Sequence, residues 1–215
     1  MKKTIMALLV ALFTPIMLQA GGIGIYVPYS LGIEKDGEVD SDYYYSDDYN
    51  YDYDLKNKSG IGMVVGTNLG ARDVFSYKFA LEYTQPQRKH TDIDSDKIEM
   101  LHTFEFGIIR TKVVKFWAGP RINIAYEGYD TTDYERDGIE IGIAPAIGLH
   151  LNINRAFALT FDVDYKLAWQ GGDYDSNYDS GTYSESVTGP TARFGVFFKF
   201  GEAYGSYDVD KTCNE

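Results

Sequence analysis

Cysteine is nearly absent from this 215-residue chain. Cys213 is the only one, so no disulfide framework can form within a chain; in an oxidising compartment it could pair only with another molecule. Long apolar runs are equally scarce. Beyond the first twenty residues no stretch approaches the ~20 apolar residues that a membrane helix requires, so any spanning role falls to strands. Basic residues are few, 20 Lys and Arg against 32 Asp and Glu, and the net charge of −12 argues against nucleic acid as a partner. The three histidines, at 90, 102 and 150, form no visible metal cluster. Gly21-Gly22-Ile23-Gly24 reads as the start of a strand, because no phosphate-loop context surrounds it. No shift of composition marks an internal boundary, which makes residues 21–201 one domain.

What is present begins at the amino terminus. Lys2 and Lys3 precede an apolar run from Thr4 to Leu18, followed by Gln19 and Ala20. This pattern predicts a secretory signal, residues 1–20, cleaved before Gly21. The run is short for a spanning helix and lacks a charged stop-transfer flank. A mitochondrial presequence would be richer in Arg, and a lipid-anchored protein would carry Cys at position 21. Cleavage lowers the net charge from −12 to −14, since two lysines and no acids leave.

The mature chain alternates. Ile139, Ile141, Ile143, Pro145, Ile147, Leu149 and Leu151 share one phase, and Glu140, Gly142, Ala144, Ala146, Gly148, His150 and Asn152 share the other. Successive side chains of a strand face opposite sides, so such a segment has one apolar and one small or polar face. Residues 157–169 repeat the pattern, with Phe157, Leu159, Phe161, Val163, Tyr165, Leu167 and Trp169 in one phase. Eight strands can be laid out, over approximately 22–34, 59–69, 74–86, 97–111, 115–127, 139–152, 156–169 and 187–200, with boundaries good to ~2–4 residues. Connections at 70–73, 112–114 and 153–155 are turn-sized, whereas those at 35–58, 87–96, 128–138 and 170–186 are long. Short turns opposite long loops, an even strand number and no spanning helix together predict an all-β, eight-stranded antiparallel up-and-down transmembrane barrel, with both termini in the periplasm.

The charges follow the same phase. If Phe75, Tyr77, Phe79, Leu81 and Tyr83 face lipid, then Lys78, Glu82, Glu99, Glu105, Arg121, Glu140, Asp162, Asp164, Lys166, Arg193 and Lys199 face inward. Eight strands leave an interior just wide enough for side chains to fill, so these charges are expected to pair across it. The competing reading is a residue-lined gate or a narrow ion path. Outward aromatics gather at the strand ends, with Phe75, Phe116, Phe157, Phe198 and Phe200 at one end and Tyr83, Tyr126, Tyr165 and Trp169 at the other, as two interfacial girdles would.

Residues 193–200, Arg-Phe-Gly-Val-Phe-Phe-Lys-Phe, carry Gly195, aromatic Phe198 and terminal aromatic Phe200. This run resembles the terminal-strand assembly signal of bacterial outer-membrane proteins. With the leader and the eight-strand layout, the chain resembles small barrels of the OmpA/OmpX/opacity-protein type. The resemblance implies an outer-membrane location, assembly by the barrel-insertion machinery and contact with outer-membrane lipid and lipopolysaccharide. Fifteen residues follow the signal here, 201–215, a departure from the family pattern. A tail that short, 202–215, is no peptidoglycan-binding domain.

Four prolines, Pro28, Pro120, Pro145 and Pro190, fall inside the proposed strands. Proline cannot donate to a ladder and normally marks an edge or bulge; the phase continues unbroken around Pro120 and Pro145, so each of these two is expected to cost one bond without an insertion. His102 takes the lipid-facing phase with Met100 and Phe104.

The external segments are the most distinctive part of the surface. Residues 36–54 carry eight acids interleaved with Tyr43, Tyr44, Tyr45, Tyr49, Tyr51 and Tyr53. A solvated, mobile loop is one reading. Tyrosine offers large amphipathic contact area at low entropy cost, so recognition of an extracellular protein or glycan is the sharper one, and bridging of the acids to lipopolysaccharide by divalent cations is a third. Asp173, Asp175, Asn177 and Asp179 alternate like calcium ligands, but Tyr178 and Ser184 stand where an EF-hand loop needs Gly and Glu. A lipid A deacylase is also an eight-stranded barrel, yet His102 lacks the His-x-Ser pattern, and Thr103 and Glu105 do not supply it. The expectation is therefore a non-enzymatic barrel without cofactor or metal, structural and adhesive or ligand-recognising through its loops. A narrow porin-like channel and a lipid-modifying enzyme are the alternatives.

Overall fold

The computed structural model describes residues 21–41, 49–56, 59–67, 73–89, 95–131, 133–154, 156–177 and 179–200. The expected leader 1–20, the tail 202–215, most of the 70–73 turn and Tyr43, Tyr44 and Tyr45 lie outside them. The elements are β1 (Gly22–Ser30), β2 (Glu34–Ser41), β3 (Tyr49–Asp54), β4 (Gly60–Thr67), β5 (Phe75–Thr84), β6 (Asp96–Arg110), β7 (Val114–Asp130), β8 (Tyr134–Asn152), β9 (Phe157–Ser176) and β10 (Ser180–Lys199). Eight of them form a closed antiparallel ring in the order β1-β4-β5-β6-β7-β8-β9-β10, sealed by pairing of β10 with β1. Closure removes the unpaired edge that an open sheet would expose.

β2 and β3 extend this ring outward. β10 pairs with β1 over Thr191–Lys199 and then with β2 over Gly181–Thr188, so the hairpin β2–β3 continues the wall. The segments 35–58, 128–138 and 170–186, expected as long loops, are therefore largely strand. β7 and β8 pair as far as Asp130↔Glu135, and β9 and β10 as far as Asp175↔Ser180. The alternation simply runs on into these segments: on β10 Gly181, Tyr183, Glu185 and Val187 are buried while Ser180, Thr182 and Ser184 are exposed. Continuous ladder bonding satisfies backbone groups that a loop would have to give to water.

A bulge joins β1 to β2. Ser30 faces Thr191 and Glu34 faces Thr188, which puts Leu31, Gly32 and Ile33 opposite only Gly189 and Pro190. Gly32 and Gly189 adopt φ of 118° and 143°, the left-handed region that glycine tolerates. A Cβ on Gly189 would sit 2.3 Å from the Gly32 carbonyl oxygen. The extra residue inverts the phase, so even-numbered Tyr26 points inward on β1 and odd-numbered Lys35 points inward on β2.

Pro28, Pro120 and Pro145 do not disturb the register, whereas Pro190 sits beside Gly189 in the bulge between β1 and β2. Pro120 stands directly opposite Pro145 in an unbroken β7–β8 ladder, and Pro28 opposite Arg193 in β1–β10. The shift between β6 and β7 lies instead at Gly107–Ile109, where Ile108 and Ile109 are both exposed.

The outer surface is apolar over a band. Ile25, Val27, Ile61, Met63, Ile141, Ile143, Ile147, Phe161, Tyr165, Leu167, Trp169 and Phe194 are all exposed. In water so large an apolar surface would drive association; hydrocarbon buries it. The band ends outward near Tyr83, Tyr126, Ile139 and Trp169, above which Glu34, Asp36, Glu38, Asp52 and Glu135 occupy the outer face. His102 is on this outer side, where its Nδ1 shares a 2.6 Å hydrogen bond with the Tyr77 hydroxyl.

Candidate functional site: the filled interior and its crown

Alternation in eight strands aims polar and charged side chains at one axis, and they meet there in stacked layers. At the inner end, the Lys199 ammonium donates to Asn152 Oδ1 at 2.6 Å. Next, Lys78 pairs with Glu105 at 2.5 Å, and His150 Nε2 stands 3.0 Å from the same carboxylate. Trp117, fully buried, lies under the Lys78 ammonium, 4.8 Å from ring centre to nitrogen.

Two arginines hold the middle. Arg121 donates to Thr103 and Asp162, both at 2.8 Å, and to Asp164. Arg193 grips Glu82 with two nitrogens, at 2.5 and 3.2 Å, and reaches Asp164 with a third. Planar guanidinium groups suit such shared carboxylates. One layer outward, Lys166 pairs with Glu99 and with Glu140 at 2.9 Å, Lys97 also pairs with Glu140, and Asn123 donates to Glu140 at 2.9 Å.

The crown lies beyond the apolar band. Lys35 donates to Glu127, Gln170 and Glu185 at 2.9, 2.8 and 2.8 Å. Glu185 also accepts from Arg136 at 2.6 Å, from the Tyr51 hydroxyl at 2.8 Å and from the Tyr53 hydroxyl at 3.3 Å. The Arg136 guanidinium rests 3.5 Å from the Tyr183 ring centroid. Burial disfavours the Glu185 charge, but Lys35 and Arg136 outweigh it and hold the carboxyl down at about 2. Burial likewise works against the Lys35 ammonium, and Glu127, Tyr53 and Glu185 overcome it, raising the amine well above its ordinary value. The cavity under the mouth, bounded by Tyr53, Arg88, Glu127, Tyr129, Arg136 and Tyr183, is only about 20 Å³, room for one or two water molecules. Among the described residues no group of His, Cys, Asp and Glu is arranged to hold a metal ion.

This architecture has precedents among solved structures. The chain is similar to the outer membrane protein OprG from Pseudomonas aeruginosa, with a TM-score of 0.56 at 11% identity over 85% of this chain and 97% of that one. Neisserial surface protein A (TM-score 0.42, 12% identity, 82% and 97% covered) and the attachment invasion locus protein Ail of Yersinia pestis (0.42, 15%, 84% and 99%) also align. The chain has the fold of a small bacterial outer-membrane barrel. No family model and no curated protein sequence matches it.

In this outer-membrane-type barrel Lys78, Glu82, Glu99, Glu105, Arg121, Glu140, Asp162, Asp164, Lys166, Arg193 and Lys199 are all buried in the interior. Phase reasoning passed over Lys97, Lys115 and Glu127, although each shares the inward phase of its strand. Lys35, Arg136 and Glu185 were hidden by the loop reading, and Lys35 additionally by the bulge. Phe198 is half-exposed on the outer face and packs on Phe157 with ring centres 4.7 Å apart, while Gly195 faces inward beneath Tyr26. Tyr51 and Tyr53 do not project outward as contact residues: their hydroxyls close on Glu185. The backbone of Tyr49 belongs to β3.

Proposed function

We propose that the protein is a non-enzymatic integral protein of the bacterial outer membrane, a closed barrel that anchors and displays its external crown, with both termini in the periplasm. The observation that carries this reading is the interior. From Lys78 to Lys35 its charges are paired in successive layers, and the cavity beneath the mouth holds no more than a water molecule or two. A path for solutes would require several buried ion pairs to separate at once, each at a cost of roughly several kcal/mol. Against lipid-modifying chemistry of the His-x-Ser kind, His102 points outward whereas its neighbours Thr103 and Glu105 are buried inside, so neither shares its face. Recognition of an extracellular protein or glycan would fall to the crown and to Tyr43, Tyr44 and Tyr45. The test is reconstitution in planar bilayers beside binding of intact cells to immobilised host matrix proteins and glycans. Rare or absent conductance with saturable binding is expected. Large, stable open-channel steps would favour the narrow-channel reading instead.

A further inference from the structure

The outer face of β10 is a furrow. Its outward side chains from Ser184 to Ala192 are Ser184, Ser186, Thr188, Pro190 and Ala192, all small. Their neighbours on β9 are large: Trp169 lies opposite Ser186, Leu167 opposite Thr188 and Tyr165 opposite Pro190. On the other flank Tyr29 stands opposite Ala192. At ~3.3 Å per residue the furrow runs for about 26 Å along the strand. Its lower part is continuous with the apolar band. Its upper part widens into a groove of about 290 Å³, walled by Trp169 on β9 and by Asp36, Glu38 and Asn50 on β2 and β3, with Ser184 and Ser186 as floor.

Trp169 is 69% exposed at the top of the band, the height at which headgroups begin. An indole face there accepts the C–H face of a sugar ring or an ammonium group. Two carboxylates across the groove accept hydrogen bonds from hydroxyl or amino groups and repel phosphate. The long, narrow apolar floor below fits an acyl chain.

We propose that this furrow seats one glycolipid of the outer leaflet, its acyl chain along Pro190 and Ala192 and a hydroxyl- or amine-bearing sugar ring between Trp169 and the Asp36 and Glu38 carboxylates. The proposal rests on the membrane-embedded reading above and adds a seat and a headgroup chemistry to it.

The experiment inserts the full chain into vesicles containing either a dephosphorylated diglucosamine glycolipid or phosphatidylglycerol, with insertion scored by heat-modifiable electrophoretic mobility. Lipid retained per barrel after detergent extraction is measured by mass spectrometry. Acrylamide quenching reads Trp169, because Trp117, the other tryptophan, is fully buried. Wild type is expected to retain the glycolipid in preference to phosphatidylglycerol and to shield Trp169. Trp169→Ala and the groove-filling Ser186→Phe are expected to lower retention on the order of tenfold with insertion unchanged. Asp36→Asn with Glu38→Gln is expected to admit phosphorylated headgroups. Equal retention by wild type and both groove variants, or a preference for phosphatidylglycerol, would overturn the site. Unchanged headgroup preference in the double variant would overturn the role given to the carboxylates. Wild type that inserts into neither vesicle would overturn the membrane reading itself, a failure separable from the others.

Discussion

Replacing Arg193 with Met tests whether the interior is held by mutual neutralisation. Arg193 is 1% exposed, grips Glu82 through two nitrogens and shares Asp164 with Arg121. Methionine fills much of the same space but leaves the Glu82 carboxylate without its ion-pair partner, whereas Asp164 keeps Arg121. Breaking a buried pair from one side costs about 3–5 kcal/mol, because the remaining charge is desolvated and uncompensated. Removing the second charge as well, in Arg193→Met/Glu82→Gln, should recover most of that, so the coupling between the two positions should reach about 2 kcal/mol. Equilibrium urea unfolding of the vesicle-inserted barrel, followed by tryptophan fluorescence, measures both. With slopes of about 1–3 kcal/mol/M, the single variant should lower the midpoint by at least about 1 M and the double variant should return toward wild type. A single variant costing under about 1 kcal/mol, or a double variant no more stable than the single, would refute the claim that these charges hold one another in place.

Other expectations follow from the crown, the bulge and the final strand. Glu185 has a folded pKa of about 2, below the ordinary carboxyl value near 4.3, so its contribution is complete above that value and is lost as pH falls toward 2. Amide exchange protection in β2 and β10 above the band should therefore decline between about pH 4.5 and 2, and Glu185→Gln should flatten that decline; protection that stays level in wild type contradicts the assignment. Gly189→Ala places a Cβ 2.3 Å from the Gly32 carbonyl oxygen at a φ of 143°, and should destabilise the barrel by about 1–3 kcal/mol in the same urea assay. A neutral result would mean that the β1–β2 bulge relaxes without strain. Phe198→Ser with Phe200→Ser should reduce the yield of inserted, heat-modifiable barrel, since Phe198 packs on Phe157 at the inner girdle; undiminished insertion would dismiss residues 193–200 as an assembly signal.

Period-two alternation is a local property, and it was legible residue by residue. From it came the strand number, the antiparallel closed form, the apolar outer face and the eleven inward charges from Lys78 to Lys199, because a strand side chain can face only one of two sides and water, lipid and lumen sort them by polarity. What alternation could not convey was where pairing stops. Acidic, tyrosine-rich segments at 35–54 and 170–186 have a loop's composition, yet β9 and β10 run on as a hairpin through 170–186, and β2 pairs with β10, a ladder partner far away in sequence, as Lys35 does with Val187. Nor could it show phase across a bulge: the residue added at Leu31–Ile33 turns Lys35 inward, and only the pairing of β1 and β2 with the same strand reveals it. Which acid meets which base was likewise decided by the closed ring. The sequence by itself determined which face each side chain takes along a strand; the tertiary structure decided how far the strands run and which charges meet, because hydrogen-bond registry and ion pairing depend on strands that the chain brings together only when the barrel closes.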